Sequence, residues 1–171
     1  MTILKVLKIP DKRLYRKTQK VTNIDNEIRT ISQDMIETMY SENGIGLAAN
    51  QVGINKSIIV IDLQEESEEE RFVEINNKKE KLIMPIVIIN PQILKKSKKT
   101  ISFEEGCLSV PKKRIEINRS NSLILKYSDQ WGRKCILSTE GLLSVCIQHE
   151  IDHLNAITIV ERQLIEKGLY Q

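Results

Sequence analysis

Histidine is almost missing from this chain of 171 residues, which contains two. Aromatic residues reach only 4%, and no stretch interleaves them with basic residues. Charge of one sign is lacking too: 26 basic residues against 23 acidic ones leave +3. Neither feature marks a nucleic-acid partner, so direct nucleic-acid binding is not expected. No uncharged apolar run approaches the roughly 18 to 20 residues that span a bilayer, which argues against a membrane partner. The opening MTILKVLKIPDKR has few apolar residues between its lysines and no small-residue cleavage site, so no signal peptide is read there. Cysteine is scarce and odd in number. Cys107, Cys135 and Cys146 cannot make a disulfide framework, and a reducing, cytoplasmic compartment is expected.

What is present is an ordinary globular composition, 40% hydrophobic and 29% charged. The length suits one core, so a single domain over residues 1–171 is expected, without repeats or linkers. A helix is expected from Asp25 to Glu42, where Ile28, Ile31, Met35 and Met39 recur at helical spacing and Asn43-Gly44 supplies a stop. Residues 44–53, GIGLAANQVG, are too rich in glycine for a regular element. Apolar strands follow at Ser57–Leu63 and Leu82–Ile89, the second with Pro85 as an edge or bulge residue and Asn90-Pro91 as a turn. Between them, residues 64–81 are dense in glutamate and lysine and read as a mobile, solvated insert. Alternating segments at Arg114–Asn118, Ser122–Tyr127 and Arg133–Leu137 read as strands, the last two joined by a turn at Asp129–Gly132. A final helix is expected from Thr139 to Asn155. The fold class is then α+β, with antiparallel strands packed around a buried C-terminal helix.

That helix carries both histidines, in Gln148-His149-Glu150-Ile151-Asp152-His153. Two random histidines fall at this spacing roughly once in a hundred chains, so the pattern carries weight. Residues at i and i+4 share a helix face, about 6 Å apart along the axis. Two such imidazoles can converge on one metal ion, with the adjacent Glu150 beside it as a proton carrier. A tetrahedral catalytic ion then needs one more protein ligand and an open position. Cys146 shares the face but lies about 10 Å from His153 along the axis, so it is better read as wall than as ligand. Cys107 and Cys135 remain. Cys135 falls in an alternating strand and can face the core. Cys107 lies in Glu104-Glu105-Gly106-Cys107-Leu108-Ser109, where Gly106 permits a close backbone approach.

Three separated blocks resemble the signature segments of bacterial peptide deformylases: GIGLAANQ at 44–51, EGCLS at 105–109 and QHEIDHL at 148–154. The similarity extends to the turn Pro10–Leu14 and the run GLLSVCIQHE at 141–150. It implies a metallohydrolase that removes the N-formyl group from the formyl-methionine of newly made polypeptides and releases formate. By that resemblance Cys107, His149 and His153 hold the ion, expected to be Fe2+ although Zn2+, Ni2+ or Co2+ also suits such donors. Glu150 shuttles the proton, while Gln51 and the backbone N–H of Leu108 steady the oxyanion. The methionine pocket is expected from Ile45, Phe103, Leu142, Val145 and Cys146, with His149 as its floor. Ile45 and Gly46 pair with the peptide backbone, and Arg114 contacts it further along. Asp152 is expected to pair with Arg119, and Glu105 to support the ligands from behind. Three rivals share the histidine motif: a zinc metallopeptidase, whose site a histidine or carboxylate usually completes, an inactive deformylase-like binding protein, and a purely structural zinc domain.

Two departures from the family pattern stand out. Ala156 occupies a position where the family has glycine; if that site needs a positive φ, Asn155 could take the left-handed conformation instead. The last residues, ERQLIEKGLYQ, make a sparse tail, so any ribosome contact is expected to be weak.

Overall fold

The computed structural model describes residues 2–64 and 70–170. A 3-10 turn at Lys12–Tyr15 precedes helix α1 (Asn26–Ser41). The Asp25 side chain caps α1 by accepting from the Ile28 N–H at 3.2 Å. At the other end Asn43 takes a φ of 54° and the Gly44 N–H closes onto the Met39 carbonyl at 2.9 Å, the stop expected from this dipeptide. The chain then forms strands β1 (Gly46–Ala48), β2 (Ile58–Ile61), β3 (Phe72–Ile75), β4 (Lys78–Lys81) and β5 (Ile86–Lys96). Strands β6 (Thr100–Cys107), β7 (Val110–Ser120), β8 (Ser122–Ser128) and β9 (Lys134–Glu140) follow, and helices α2 (Gly141–Leu154) and α3 (Ile159–Glu166) complete the order.

Seven strands form one antiparallel sheet in the order β1-β2-β5-β8-β9-β3-β4, while β6 and β7 pair as a separate ribbon. The sheet is covered on both faces near β2 and β5. Ile59, Ile61, Ile86 and Ile88 pack with Leu143 and Ile147 of α2. Ile58, Val60, Val87 and Ile89 pack with Met35 and Met39 of α1 on the opposite face. Successive strand side chains point to opposite faces, so a strand buried twice over reads as an unbroken apolar run. Each such isoleucine contributes about 1.5 to 3 kcal/mol of burial, and this sandwich fixes α2 in place. Among the described residues, no helix is long and apolar enough to cross a membrane.

The α+β architecture around a buried C-terminal helix is as expected; several local expectations are overturned. Within 64–81, residues 72–81 form the β3–β4 hairpin rather than a loop, and residues 65–69 lie outside the described residues. Val73 and Ile75 point into the core on either side of Glu74, and Asn76 and Asn77 both take positive φ in the connecting turn. Asn90-Pro91 does not turn the chain. The β5 strand runs through it on a bulge in which Asn90 has a φ of 53° and its side chain pairs with both backbone groups of Val21. The strand expected from Leu82 begins at Ile86, with Pro85 outside it, and Arg114–Asn118 is the middle of a much longer strand. The glycine-rich stretch holds β1 and a 3-10 turn at Ala49–Val52. The tail contains α3, capped reciprocally by Thr158 and Glu161.

At the end of α2 the left-handed position falls on Ala156, with a φ of 66°. Asn155, at φ −96°, does not relieve it. A left-handed alanine costs about 1 to 2 kcal/mol, partly offset in a glycine variant by the looser unfolded chain. Ala156→Gly should therefore stabilise the fold by about 0.5 to 1 kcal/mol, seen as a rise of about 1 to 4 °C in the thermal midpoint.

Candidate metal centre and cavity

Helix α2 is buried at nearly every position from Leu143 to Leu154, so its polar side chains reach the interior and need partners there. Gln148 donates to the carbonyls of Ser120 (2.9 Å) and Ser144 (3.0 Å), tying the helix to the end of β7. One turn apart, the rings of His149 and His153 have centroids 5.0 Å apart and their Nε2 atoms approach to 3.2 Å. Cys107, at the end of β6, brings its Sγ to 3.1 Å from His153 Nε2. The three donor atoms all lie within 4.8 Å of one another.

Lone pairs packed so closely repel unless something positive lies among them. Tetrahedral bond lengths to one ion would place such donors about 3.3 to 3.6 Å apart, close to what is found. The electrostatics agree. Burial alone would raise the Cys107 thiol, but the imidazoles of His153 and His149 outweigh it and hold it well below the ordinary thiol range. Burial alone would lower His149, yet its bonds to Cys107 and Glu105 and the nearby Glu150 charge drive it well above its usual value. This cluster attracts a cation, and its residues fit a metal ion. Cys146 is excluded as expected: its Sγ points at the Ile45 carbonyl, 3.8 Å away. Cys135 is buried against Tyr127 in the core.

Behind the donors runs a chain of buried charge. Glu105 Oε2 lies 2.8 Å from His149 Nδ1, and Arg119 donates to the same carboxylate from Nε (2.7 Å) and Nη2 (2.9 Å). Arg119 Nη1 also donates to Asp152, which Arg162 Nε reaches at 2.8 Å. Burial would raise the Glu105 carboxyl, but Arg119 and His149 overcome it and hold it at about 2. The family resemblance implied the Arg119–Asp152 pair; it did not point to Arg162. That arginine arrives from α3, and no local spacing links it to Asp152.

In front of the donors opens a cavity of about 710 Å³. Glu150 lies on its wall, and burial raises its carboxyl above the ordinary value. Its Oε2 is buried with no hydrogen-bond partner among the described residues. Gly46 is what lets it sit there: a Cβ on that glycine would stand 2.5 Å from Glu150 Oε1 and 2.9 Å from Cys146 Sγ. The Gln51 side-chain carbonyl accepts from the Ala48 N–H (2.8 Å), which turns its amide toward Ser109 Oγ (3.1 Å) and Cys107 Sγ (3.7 Å). Leu108, Ile45, Phe103, Arg114, Leu142, Val145 and Cys146 line the same cavity. Among the residues expected to hold the ion, carry the proton, steady the oxyanion or bind the peptide, His153 is the one not on its wall; it reaches the cluster from behind through Nε2.

Residues 3–167 match the sequence pattern of the polypeptide deformylase family. The chain belongs to that family. A peptide deformylase of Pseudoalteromonas translucida is 42% identical over 175 residues, covering 99% of this chain and 95% of the relative. The crystal structure of the Ehrlichia chaffeensis peptide deformylase in complex with actinonin superposes with a TM-score of 0.84 at 37% identity, covering 98% of this chain and 96% of that one. A class I type b peptide deformylase from Acinetobacter baumannii, solved with Met-Ala-Ser bound, gives 0.82 at 30% identity over 94% of this chain and 98% of that one. As a peptide deformylase, this protein is a metal-dependent hydrolase that removes the N-formyl group from new polypeptides.

Two outcomes test the site's construction. Arg119→Ala leaves Glu105 and Asp152 buried without their shared cation. It should lower unfolding stability in urea by about 3 to 5 kcal/mol, and the metal retained per chain after dialysis should fall, since supports of this kind carry about 10- to 100-fold in metal affinity. Gly46→Ala should displace Glu150 and reduce kcat by about 100-fold while circular dichroism and metal content stay unchanged.

Proposed function

We propose that the deformylase reaction of this chain is carried out at the Cys107–His149–His153 cluster, by one catalytic domain spanning residues 1–171, on N-formylmethionyl peptides. The single observation that carries the assignment is the convergence of one sulfur and two imidazole nitrogens beside a cavity that also receives Glu150. Cys107, His149 and His153 would hold the ion. Its chemistry, when bound, is Lewis acidity and a lowered pKa for water. Fe2+ is the ion proposed; a mixed sulfur and nitrogen donor set also suits Zn2+, Ni2+ and Co2+. Glu105 holds the His149 ring through Nδ1 and so leaves Nε2 turned to the cluster.

Glu150 is the proton carrier. A carboxyl raised by burial sits nearer neutrality, where it can both accept a proton and return it to the departing amine. Gln51 is anchored through its carbonyl, which leaves its amide as a fixed donor beside Cys107. Together with the Leu108 N–H it would steady the oxyanion, a role typically worth about 3 to 4 kcal/mol. Ile45, Phe103, Leu142, Val145 and Cys146 form the apolar wall for the methionine side chain, with His149 beneath. Ile45 and Gly46, where β1 begins, pair with the peptide backbone, and Arg114 meets it further out. The three free cysteines support a reducing, cytoplasmic setting. Contact with the ribosome would be weak, since α3 carries no basic residue in its last turn.

Anaerobic assays of formate release from formyl-Met-Ala-Ser test the assignment. Wild type should turn over, and Glu150→Ala should lose about 10²- to 10⁴-fold in kcat with its metal content intact. Equal rates in the two proteins would remove Glu150 from the reaction, and cleavage of internal peptide bonds would favour a metallopeptidase.

A further inference from the structure

The β6–β7 ribbon breaks register beside the cavity. Gly106 pairs with Arg114, yet the next residue, Cys107, pairs with Val110. Pro111, Lys112 and Lys113 are therefore extruded as a bulge, with Lys112 held at a φ of 63°. A bulge re-aims side chains, and a left-handed lysine persists only where its surroundings impose it. Here the bulge places Lys112 and Lys113, both exposed, on the lining of the cavity beside Arg114.

Among the described residues, none of these three cations has an ion-pair partner. The acidic residues of the lining do not compensate them. Glu105 is engaged by Arg119 and His149, and Glu150 is buried. Glu104 alone is an exposed acid on the lining, against three bases. A chain of overall charge +3 thus gathers unbalanced positive charge at the mouth of its cavity. A peptide whose amino end lies at the donor cluster leaves through that mouth.

We infer that Lys112 and Lys113 select formyl-peptides that carry acidic side chains within the first few residues after the methionine. The inference rests on the deformylase reading and adds a substrate preference to it. Charge at a solvated rim is screened, so the preference is moderate and salt-dependent. It acts on binding and is read in KM more than in kcat.

The test compares kcat/KM for formyl-Met-Ala-Asp-Asp-amide, formyl-Met-Ala-Ser-Ser-amide and formyl-Met-Ala-Lys-Lys-amide, the amides removing a terminal carboxylate that the same lysines would attract. Wild type should prefer the acidic peptide over the neutral one by about tenfold at about 50 mM KCl, approaching parity at about 500 mM. The double variant Lys112→Glu/Lys113→Glu should reverse the order, while Lys78→Glu/Lys79→Glu on distant β4 should leave the wild-type ratio in place. Turnover of the neutral peptide with no acidic preference overturns the selection and leaves the deformylase reading standing. An equal shift in both double variants assigns the effect to total charge and also overturns it. No formate from any peptide would bring down the deformylase reading, and this inference with it.

Discussion

The bifurcated Arg119 ion pair is the constraint on which the site depends. One guanidinium from β7 is shared between Glu105 of β6 and Asp152 of α2, and Arg162 from α3 closes the far end. Four elements are thereby fixed to one another at a single point. Burying so many charges is expensive, and an equivalent hydrophobic cluster could be as stable or more so. What the charges supply is direction. Glu105 binds one nitrogen of His149, and that choice decides which nitrogen faces Cys107 and His153. The arrangement of three donors is thus set by a carboxylate that does not belong to the cluster.

Positioning at this level needs a rigid support, which α2 provides because the sheet is buried on both sides. The alternate faces of β2 and β5 pack against different helices, and the polar side of α2 is then accommodated by Ser120, Ser144 and Arg119. Gly46 completes the fit from the opposite wall, where the absence of a side chain leaves room for the carboxylate of Glu150. A buried acid, a missing Cβ and a largely enclosed helix are three aspects of one packing solution.

Much of this was legible because it is local. The i, i+4 histidines, the apolar runs of β2 and β5 and the stop at Asn43-Gly44 each follow from short-range periodicity or turn chemistry. What escaped depends on pairing across long separations. The β3–β4 hairpin hides two inward residues among charges, and its partner strand β9 is some sixty residues away by the register of Ile75 with Cys135. Asn90-Pro91 carries a turn signal, but side-chain bonds from Asn90 to Val21 hold the strand together through it. Helix α3 was read as a sparse tail, and the reach of its Arg162 to Asp152 has no local spacing to announce it. Spacing singled out His149 and His153, the family resemblance singled out Cys107, and distant pairing supplied what surrounds them.

The two borders of the seven-stranded sheet have different fates. At one end β4, Lys78–Lys81, is exposed throughout and crowded with lysine, which discourages any neighbouring molecule from adding a strand there. At the other end β1 faces the cavity, but it lasts three residues before the 3-10 turn begins. A peptide that added to so short a border, as proposed for the substrate, would find only a few main-chain bonds there, too few to hold it on their own. Brevity of that border suits an enzyme that must surrender each processed chain rather than store it.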